Sequence, residues 1–209
     1  MRKAFIFRWL FFFVGLMIMG LGVTLTIKGQ LFGVGSWDVL HIGLFKNLGL
    51  SIGLWSIIMG ILIITIASIG LREFPKIGTF MNMICVGVFI DFFNWAIPDP
   101  STFTVQLIAF ILGVLLLAAG CGVYISADLG AGPRDTLMLL AVKKFNCSIM
   151  VARTVMEVSV AVVGYLLGGP IGIGTVIMAF GLGPVIQIAL GYSEKVLETL
   201  VNKEQVVNY

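Results

Sequence analysis

Gly33-Val34-Gly35-Ser36-Trp37-Asp38 and Gly130-Ala131-Gly132-Pro133-Arg134-Asp135 are the two stretches that organise this chain. Both glycines and the aspartate recur with an offset of 97 residues (135 − 38 = 97). The same offset relates Ser51-Ile52 to Ser148-Ile149, and an offset of 96 relates Ile77-Gly78-Thr79 to Ile173-Gly174-Thr175. The sequence therefore predicts two repeats, residues 8–100 and 103–193, each interrupted by a Gly-x-Gly-x-x-Asp break.

The composition around these breaks is that of a membrane protein. Of the 209 residues, 59% are hydrophobic and 11% are charged, whereas a soluble domain carries roughly 25% charged residues. A helix needs about 20 apolar residues to cross a bilayer. Stretches of this kind predict an all-α polytopic membrane protein, residues 1–209 forming one domain. The predicted spans are 8–28, 51–71, 77–97, 103–126, 148–168 and 172–193. Residues 194–209 are predicted to be a cytoplasmic tail that forms a short amphipathic helix.

The basic residues orient the predicted spans. If both termini are cytoplasmic, only Lys28 and Lys46 of the 13 basic residues lie outside, which is a split of 11 to 2. Positively charged loops stay on the cytoplasmic side of bacterial membranes. The sequence thus predicts a multi-pass protein of the bacterial inner (plasma) membrane with both termini cytoplasmic. Because each repeat has three spans, the two repeats are predicted to have inverted topology.

A segment that is too short to span the membrane begins within each break. These segments are Ser36 to Leu48 and Pro133 to Phe145. A helix of this length reaches about 20 Å, which is less than the ~30 Å hydrocarbon core. Both segments are almost entirely apolar, and this favours burial as re-entrant half-helices. Interfacial helices that lie flat on the membrane surface are the alternative, although such helices carry one strongly polar face.

The aspartates of the two breaks allow three interpretations. Asp38 and Asp135 fall in the first turn of a short helix, where a carboxylate complements the positive helix end. The free amides there can instead bind an anionic group, or the paired carboxylates can bind a cation or proton. His41 lies on the same side as Asp38, and a histidine with an unperturbed pKa of about 6.5 is suited to proton transfer. The predicted substrate-binding residues are Gly33, Gly35, Asp38, His41, Gly130, Gly132 and Asp135, with Asp91 and its repeat equivalent Gln187 as further intramembrane candidates.

Other functional classes find little support in the sequence. Arg153 and Glu157, four residues apart, predict a structural ion pair, a helix–helix contact or a transport role. No nucleophile–base–orienter set is present, so we expect no enzyme. Three cysteines without a CxxC pattern indicate buried thiols and no metal site. We expect no cofactor and no nucleic acid; the expected partners are the lipid bilayer and a small solute or ion, and the sequence leaves homo-oligomer formation open.

The residues from Gly33 to Leu40 and from Leu129 to Asp135 resemble the YczE/YitT-type bacterial integral membrane proteins, most closely the YczE branch, over nearly the whole chain. That family has a proline after the second glycine of the first copy, where this chain has Ser36. The resemblance implies a membrane protein of a family whose members are described as transporters or linked to secondary-metabolite production.

Two functions follow as hypotheses. The first is a secondary transporter or channel-like permease for a small solute or ion across the bacterial inner membrane, with a central site at the paired breaks. The alternative is a non-transporting membrane scaffold or accessory protein for a biosynthetic (secondary-metabolite) enzyme complex. A scaffold predicts a dry, closed interior, whereas a permease predicts a polar cavity between the two breaks.

Overall fold

A computed structural model describes residues 2–130 and 132–206. In these residues the chain forms eight α-helices joined by short loops, and this confirms the all-α prediction. Six of the helices are long and apolar enough to cross a membrane, close to the predicted spans; α2 and α6, of 13 residues each, are the exceptions. The helices are α1 (Arg2–Lys28), α2 (Ser36–Leu48), α3 (Ile52–Leu71), α4 (Ile77–Ala96), α5 (Phe103–Ser126), α6 (Pro133–Phe145), α7 (Ile149–Leu166) and α8 (Ile173–Val206).

The predicted boundary at residue 194 between the last span and a tail does not interrupt the helix. Instead α8 runs without a break to Val206, and residues 207–209 of the predicted tail lie outside the described residues. The segment after Ser193 contains no glycine or proline and is rich in good helix formers, so nothing stops the helix there. Leu197 is buried and holds this extension against the rest of the protein.

The helices pack as two sets. In the core set, α1 packs along α5, α4 packs on α1, and α8 packs on α5. In the motif set, α2 packs on α7 and α3, while α6 packs on α3 and α7. The sets join where α3 packs along α4, but α7 and α8 do not pack along each other anywhere in the described residues.

Glycines bring α1 and α5 into close contact. Gly15 lies against Gly120, and Gly22 lies against Gly113, so that a Cβ at any of the four would overlap backbone of the facing helix. Small residues allow such close crossing in membranes. Because the contact moves up one helix as it moves down the other, α1 and α5 are antiparallel.

Contacts at the helix ends define the two ends of the molecule. Lys28, at the end of α1, donates to the carbonyl of Asn94 near the end of α4 (3.2 Å), and Gly53, at the start of α3, contacts Asp91 in the same part of α4. Thus α1 ends and α3 begins at the same end of the molecule. The segment 29–51, which contains α2, therefore begins and ends at the same end of the molecule.

Candidate functional site

The first glycine of each break forms a turn that the other half of the chain covers. Gly33 and Gly130 have φ of 95° and 152°, a region that favours glycine. Gly33 packs against Gly172 and the Thr175 hydroxyl at the start of α8, and Gly130 packs against Thr79 at the start of α4. These glycines shape the breaks without lining the cavity that the breaks enclose.

The second glycine of each break caps a short helix. Gly35 and Gly132 are the N-caps of α2 and α6, and Pro133 occupies the first turn of α6 as predicted. A Cβ on Gly35 would stand 2.9 Å from Asp38 Oδ2, whereas one on Gly132 would stand 3.6 Å from Asp135 Oδ2. A side chain at position 35 would therefore displace the Asp38 carboxylate, while position 132 has room for a methyl group.

The two short helices begin at one shared cavity. Its volume is about 210 Å³, room for roughly seven water molecules at about 30 Å³ each. All eight helices contribute to its wall. The polar side chains of the lining are Ser36, Trp37, Asp38, His41, Ser56, Asn82, Tyr124, Arg134, Asp135, Arg153 and Glu157.

The two breaks touch each other across this cavity. The Arg134 guanidinium carbon lies 5.2 Å from the centre of the Trp37 ring, within the range of a cation–π interaction. Its Nη2 atom lies 4.0 Å from Asp38 Oδ1. A residue of the second motif thus faces two residues of the first.

Several buried polar atoms at the cavity have no hydrogen-bond partner. Asp38 is 2% exposed and His41 is 1% exposed, and Asp38 Oδ1 lies 3.6 Å from His41 Nδ1 without a hydrogen bond. Asn82 Nδ2 and Trp37 Nε1 are also unpartnered among the described residues. An unsatisfied buried polar group costs about 1–3 kcal/mol, so a cluster of four at one cavity points to an occupant, either water or a ligand.

The rest of the lining is apolar and adaptable. Half of the chain's ten methionines contribute to it. Thioether side chains are flexible and fill irregular spaces. These methionines are Met19, Met59, Met138, Met156 and Met178. They lie on five different helices, so no local sequence pattern could have grouped them.

The structure separates the predicted site residues into three groups. Five of them, Gly35, Asp38, His41, Gly132 and Asp135, line the cavity. Gly33 and Gly130 form the turns behind it. Asp91 and Gln187 lie away from it.

The two residues outside the cavity have other surroundings. Asp91 Oδ1 accepts a hydrogen bond from the Gly53 amide (2.8 Å), and its Oδ2 accepts one from the Ser51 hydroxyl. Asp91 therefore binds the N-terminus of α3. Gln187 is exposed on the surface of α8. Neither residue lines the cavity, so the predicted substrate-binding role of both stays a prediction that the cavity does not support.

Sequence reasoning missed several polar residues of the lining. Trp37 and Arg134 each directly precede the aspartate of a Gly-x-Gly-x-x-Asp break. This position could have indicated that they line the same cavity. Asn82 is a lone amide in an apolar span, which is the kind of residue expected to face the protein interior. Arg153 and Glu157 both line the cavity. The ion pairs of the described residues do not include Arg153 with Glu157, so the predicted ion pair between them is not formed.

The cavity does not resemble a metal centre or a disulfide-linked site. No group of three His, Cys, Asp or Glu side chains within residues 2–130 and 132–206 is placed to hold a metal ion. Cys85, Cys121 and Cys147 are free thiols that are half-buried, less so than the predicted buried thiols.

The fold is that of a polytopic all-α membrane protein with a cavity lined by both polar and apolar side chains. The family described as "Family of unknown function (DUF6198)" matches residues 6–190, and the chain belongs to this family, of YczE type. No solved structure matches the chain significantly.

Relatives cover almost the whole chain. The Bacillus subtilis (strain 168) protein described as "Uncharacterized membrane protein YczE" is 44% identical over 96% of this chain and 94% of its own length. A Haemophilus influenzae "Uncharacterized protein" is 34% identical over 84% of this chain and 79% of its own. The B. subtilis "Uncharacterized protein YyaS" is 25% identical over 90% and 94%, respectively.

Proposed function

We propose that this protein is a secondary transporter or channel-like permease that carries a small polar solute across the bacterial inner membrane. The observation that carries the proposal is the cavity, where Asp38, His41, Asn82 and Trp37 each present a buried polar atom without a partner. Two helix N-termini, which attract negatively charged groups, open into the same space. The chain carries no nucleotide-binding motif, so a solute or ion gradient would supply the driving force.

Contacts between the halves support an inverted repeat. Gly33 packs on Thr175 and Gly130 packs on Thr79, and these pairs exchange under the sequence offset. Likewise, a Cβ on Gly174 would meet the Phe32 carbonyl, and one on Gly78 would meet the Leu129 carbonyl. The antiparallel crossing of α1 and α5 is the arrangement that an axis in the membrane plane produces.

The short helices are proposed to be re-entrant. Gly35, at the start of α2, faces Met178, which lies five residues inside α8 (178 − 173 = 5) or about 7–8 Å along the helix. The other end of α2 lies at the outer end of α7, where Lys46 donates to the Gly168 carbonyl (2.8 Å). The chain thus dips into the protein at the break and returns along α2, which is tolerated where the backbone lines a cavity. We further propose cytoplasmic termini, from the basic residues.

The charges of the cavity suggest what solute it accepts. Its lining contains three carboxylates, Asp38, Asp135 and Glu157, and two guanidinium groups, Arg134 and Arg153. Two helix N-termini add about half a positive charge each, so positive and negative charge nearly balance. A small solute that carries both an amino and an acidic group suits such a lining better than a bare ion, because an ion would leave its counter-charge unpaired.

The alternative, a scaffold for a biosynthetic enzyme complex, predicts a closed interior without orphaned polar atoms. Nothing in the cavity favours it. The two functions can be distinguished by measuring whether water reaches the cavity, because a permease requires such access and a scaffold does not.

Thiol labelling tests the proposal. In a variant whose three cysteines are replaced by serine, Ser36→Cys places a thiol in the lining, and Val39→Cys places one in the fully buried packing of the same helix. We expect a membrane-impermeant thiol reagent to modify Cys at 36 in inside-out vesicles and to leave Cys at 39 unmodified.

Protection of position 36 supplies the second measurement. If β-alanine slows modification of this thiol more than propionate or propylamine does, the cavity prefers a solute with both charges. A thiol at position 36 that stays unmodified from both faces of the membrane would contradict a permease and favour the scaffold. Stronger protection by propionate or propylamine would contradict the charge argument alone.

A further inference from the structure

The two equivalent helix pairs that flank the cavity, α3 with α4 and α7 with α8, pack differently. On one side, α3 packs along α4, with Gly53 against Gly87 and Gly60 against Met83. On the other side, residues of α7 and α8 line the cavity without packing along each other. Gly183, which corresponds to Gly87 under the offset of 96, would carry a Cβ with no atom within 4 Å.

Asp91 joins α3 to α4. Its carboxylate belongs to α4, in the core set, and it accepts hydrogen bonds from the Ser51 hydroxyl and the Gly53 amide at the start of α3, in the motif set. The same Ser51 hydroxyl accepts from the Leu54 amide as the N-cap of α3 (3.1 Å). Asp91 thus ties the two sets together where they meet, and no residue of the cavity takes part.

The repeat supplies a serine cap and a polar side chain at the corresponding positions of the α7–α8 side, with Met150 in the place of Gly53. Ser148 corresponds to Ser51 and caps α7, accepting from the Val151 amide (3.3 Å). Gln187 corresponds to Asp91 (91 + 96 = 187). In the described chain its side chain makes no hydrogen bond and is exposed on a helix that crosses the membrane, an unfavourable place for an amide.

We propose that Asp91 is a latch that holds one side of the cavity shut, and that Gln187 forms the matching latch with Ser148 when the cavity opens to the other side. The proposal rests on the proposed transport function. In the second arrangement α7 closes on α8 over the open space at Gly183, while α3 separates from α4. With cytoplasmic termini, the structure is the inward-open form and Asp91 closes the outer side.

The chemistry of the two latches is unequal. A carboxylate at a helix N-terminus gains from the helix dipole and from charge-assisted hydrogen bonds, whereas an amide makes neutral hydrogen bonds. The Asp91 latch is therefore the stronger one, which agrees with the arrangement in which the chain is found. Exchanging the two side-chain types should shift the balance in a defined direction.

The test measures access to the cavity from outside. A single cysteine at Ser56, in the cavity lining on α3, is introduced after the three natural cysteines are replaced by serine. A cationic membrane-impermeant thiosulfonate is applied to intact cells and to inside-out vesicles. We expect Asp91→Asn and Gln187→Glu each to increase the rate at which the thiol at position 56 is modified from outside by at least about fivefold. This factor is the lower end of the range that allosteric coupling free energies produce. We expect Gln187→Leu to decrease the same rate.

Asp99→Asn is the matched control. It removes the same charge near the same end of α4, but Asp99 pairs with Lys28 of α1 (2.5 Å) and makes no bond to α3. We expect this variant to behave as wild type. Outside rates that are equal for Asp91→Asn, Asp99→Asn and wild type would overturn the latch, and so would covalent dimers formed through Gln187→Cys, which would assign Gln187 to a contact between two copies. A cysteine at 56 that reacts from neither side would instead refute the permease.

Discussion

At the scale of single residues, Asp38 and Asp91 are two intramembrane carboxylates in opposite situations. Asp38 is 2% exposed and has an oxygen without a partner. Asp91 is half-buried, and both of its oxygens accept hydrogen bonds. A buried group that is kept for folding is normally satisfied, whereas a group that waits for a ligand is not.

This contrast predicts different responses to the same substitution. We expect Asp38→Asn to change the thermal stability of the solute-free protein less than Asp91→Asn does, because Asp38 Oδ1 makes no hydrogen bond and its charged neighbours His41 and Arg134 lie 3.6 and 4.0 Å away. We expect Asp91→Asn to lower the free energy of unfolding by about 1 kcal/mol, through loss of charge-assisted bonds at a helix end. Thermal unfolding in detergent measures both. A larger loss at Asp38 than at Asp91 would make Asp38 a structural residue.

The glycines of the breaks also differ at this scale. Gly33→Ala should be destabilising by at least about 1–3 kcal/mol, since an alanine there needs a positive φ and overlaps Gly172 and Thr175. Gly132→Ala is the matched control, because φ is −64° and a Cβ meets only ordinary contacts. The same unfolding assay measures both variants. Equal melting temperatures for Gly33→Ala and Gly132→Ala would show that the turn at Gly33 tolerates a side chain.

At the scale of helices, α2 and α6 have the same length and different surroundings. In α2, residues Ser36–Gly43 are all buried, whereas Pro133 is the buried residue of α6 in the described chain. The difference arises because α2 packs closely on α7, where Gly164 and Gly169 admit Val39. The two half-helices are therefore not equivalent in packing although their motifs match.

This difference predicts unequal tolerance to larger side chains. Val39→Phe should be destabilising by about 1–3 kcal/mol, the usual cost of overpacking, because Val39 is 0% exposed. Leu139→Phe on α6 should have little effect, because Leu139 is 47% exposed. Yield of monodisperse protein and melting temperature are the measurements. Comparable losses in both variants would indicate that α6 is packed as tightly as α2.

The helices themselves could be predicted from local sequence, but their pairing could not. Apolar length placed the spans, and Ser51 and Ser148 mark helix starts because each accepts a hydrogen bond three residues on. Whether α3 meets α4, and whether α7 meets α8, depends on contacts between distant residues. The same holds for Asp91, whose partners lie about 40 residues earlier in the chain.

At the scale of the whole molecule, orientation remains a prediction that can be tested directly. Reporter fusions after Phe74 and after Lys203 should give a cytoplasmic signal, and a fusion after Asp99 should give an external one, because basic residues stay inside. A cytoplasmic signal after Asp99 would contradict the inverted repeat, since both repeats would then enter from the same side.

The sequence predicted the part of the cavity lining that the two motifs supply better than the part that other positions supply. The repeated Gly-x-Gly-x-x-Asp breaks mark the two short helices that begin at the cavity, and five of the nine predicted site residues line it. The remaining lining comes from scattered apolar and polar positions on every helix, such as Asn82 and Met178. Side chains gather there because of tertiary packing, for which a single sequence holds no periodic signal when every helix face is apolar.

The methionine lining also equips the cavity with its own spectroscopic reporters. Methionine methyl groups can be isotope-labelled biosynthetically, and half of the ten such groups stand at the cavity, while Met17 is 43% exposed on α1 and faces outward. The NMR resonances of the interior group should therefore register any rearrangement of the chamber, with Met17 as an internal reference for the surrounding lipid or detergent. No foreign label has to be placed in a space that holds only about seven water molecules.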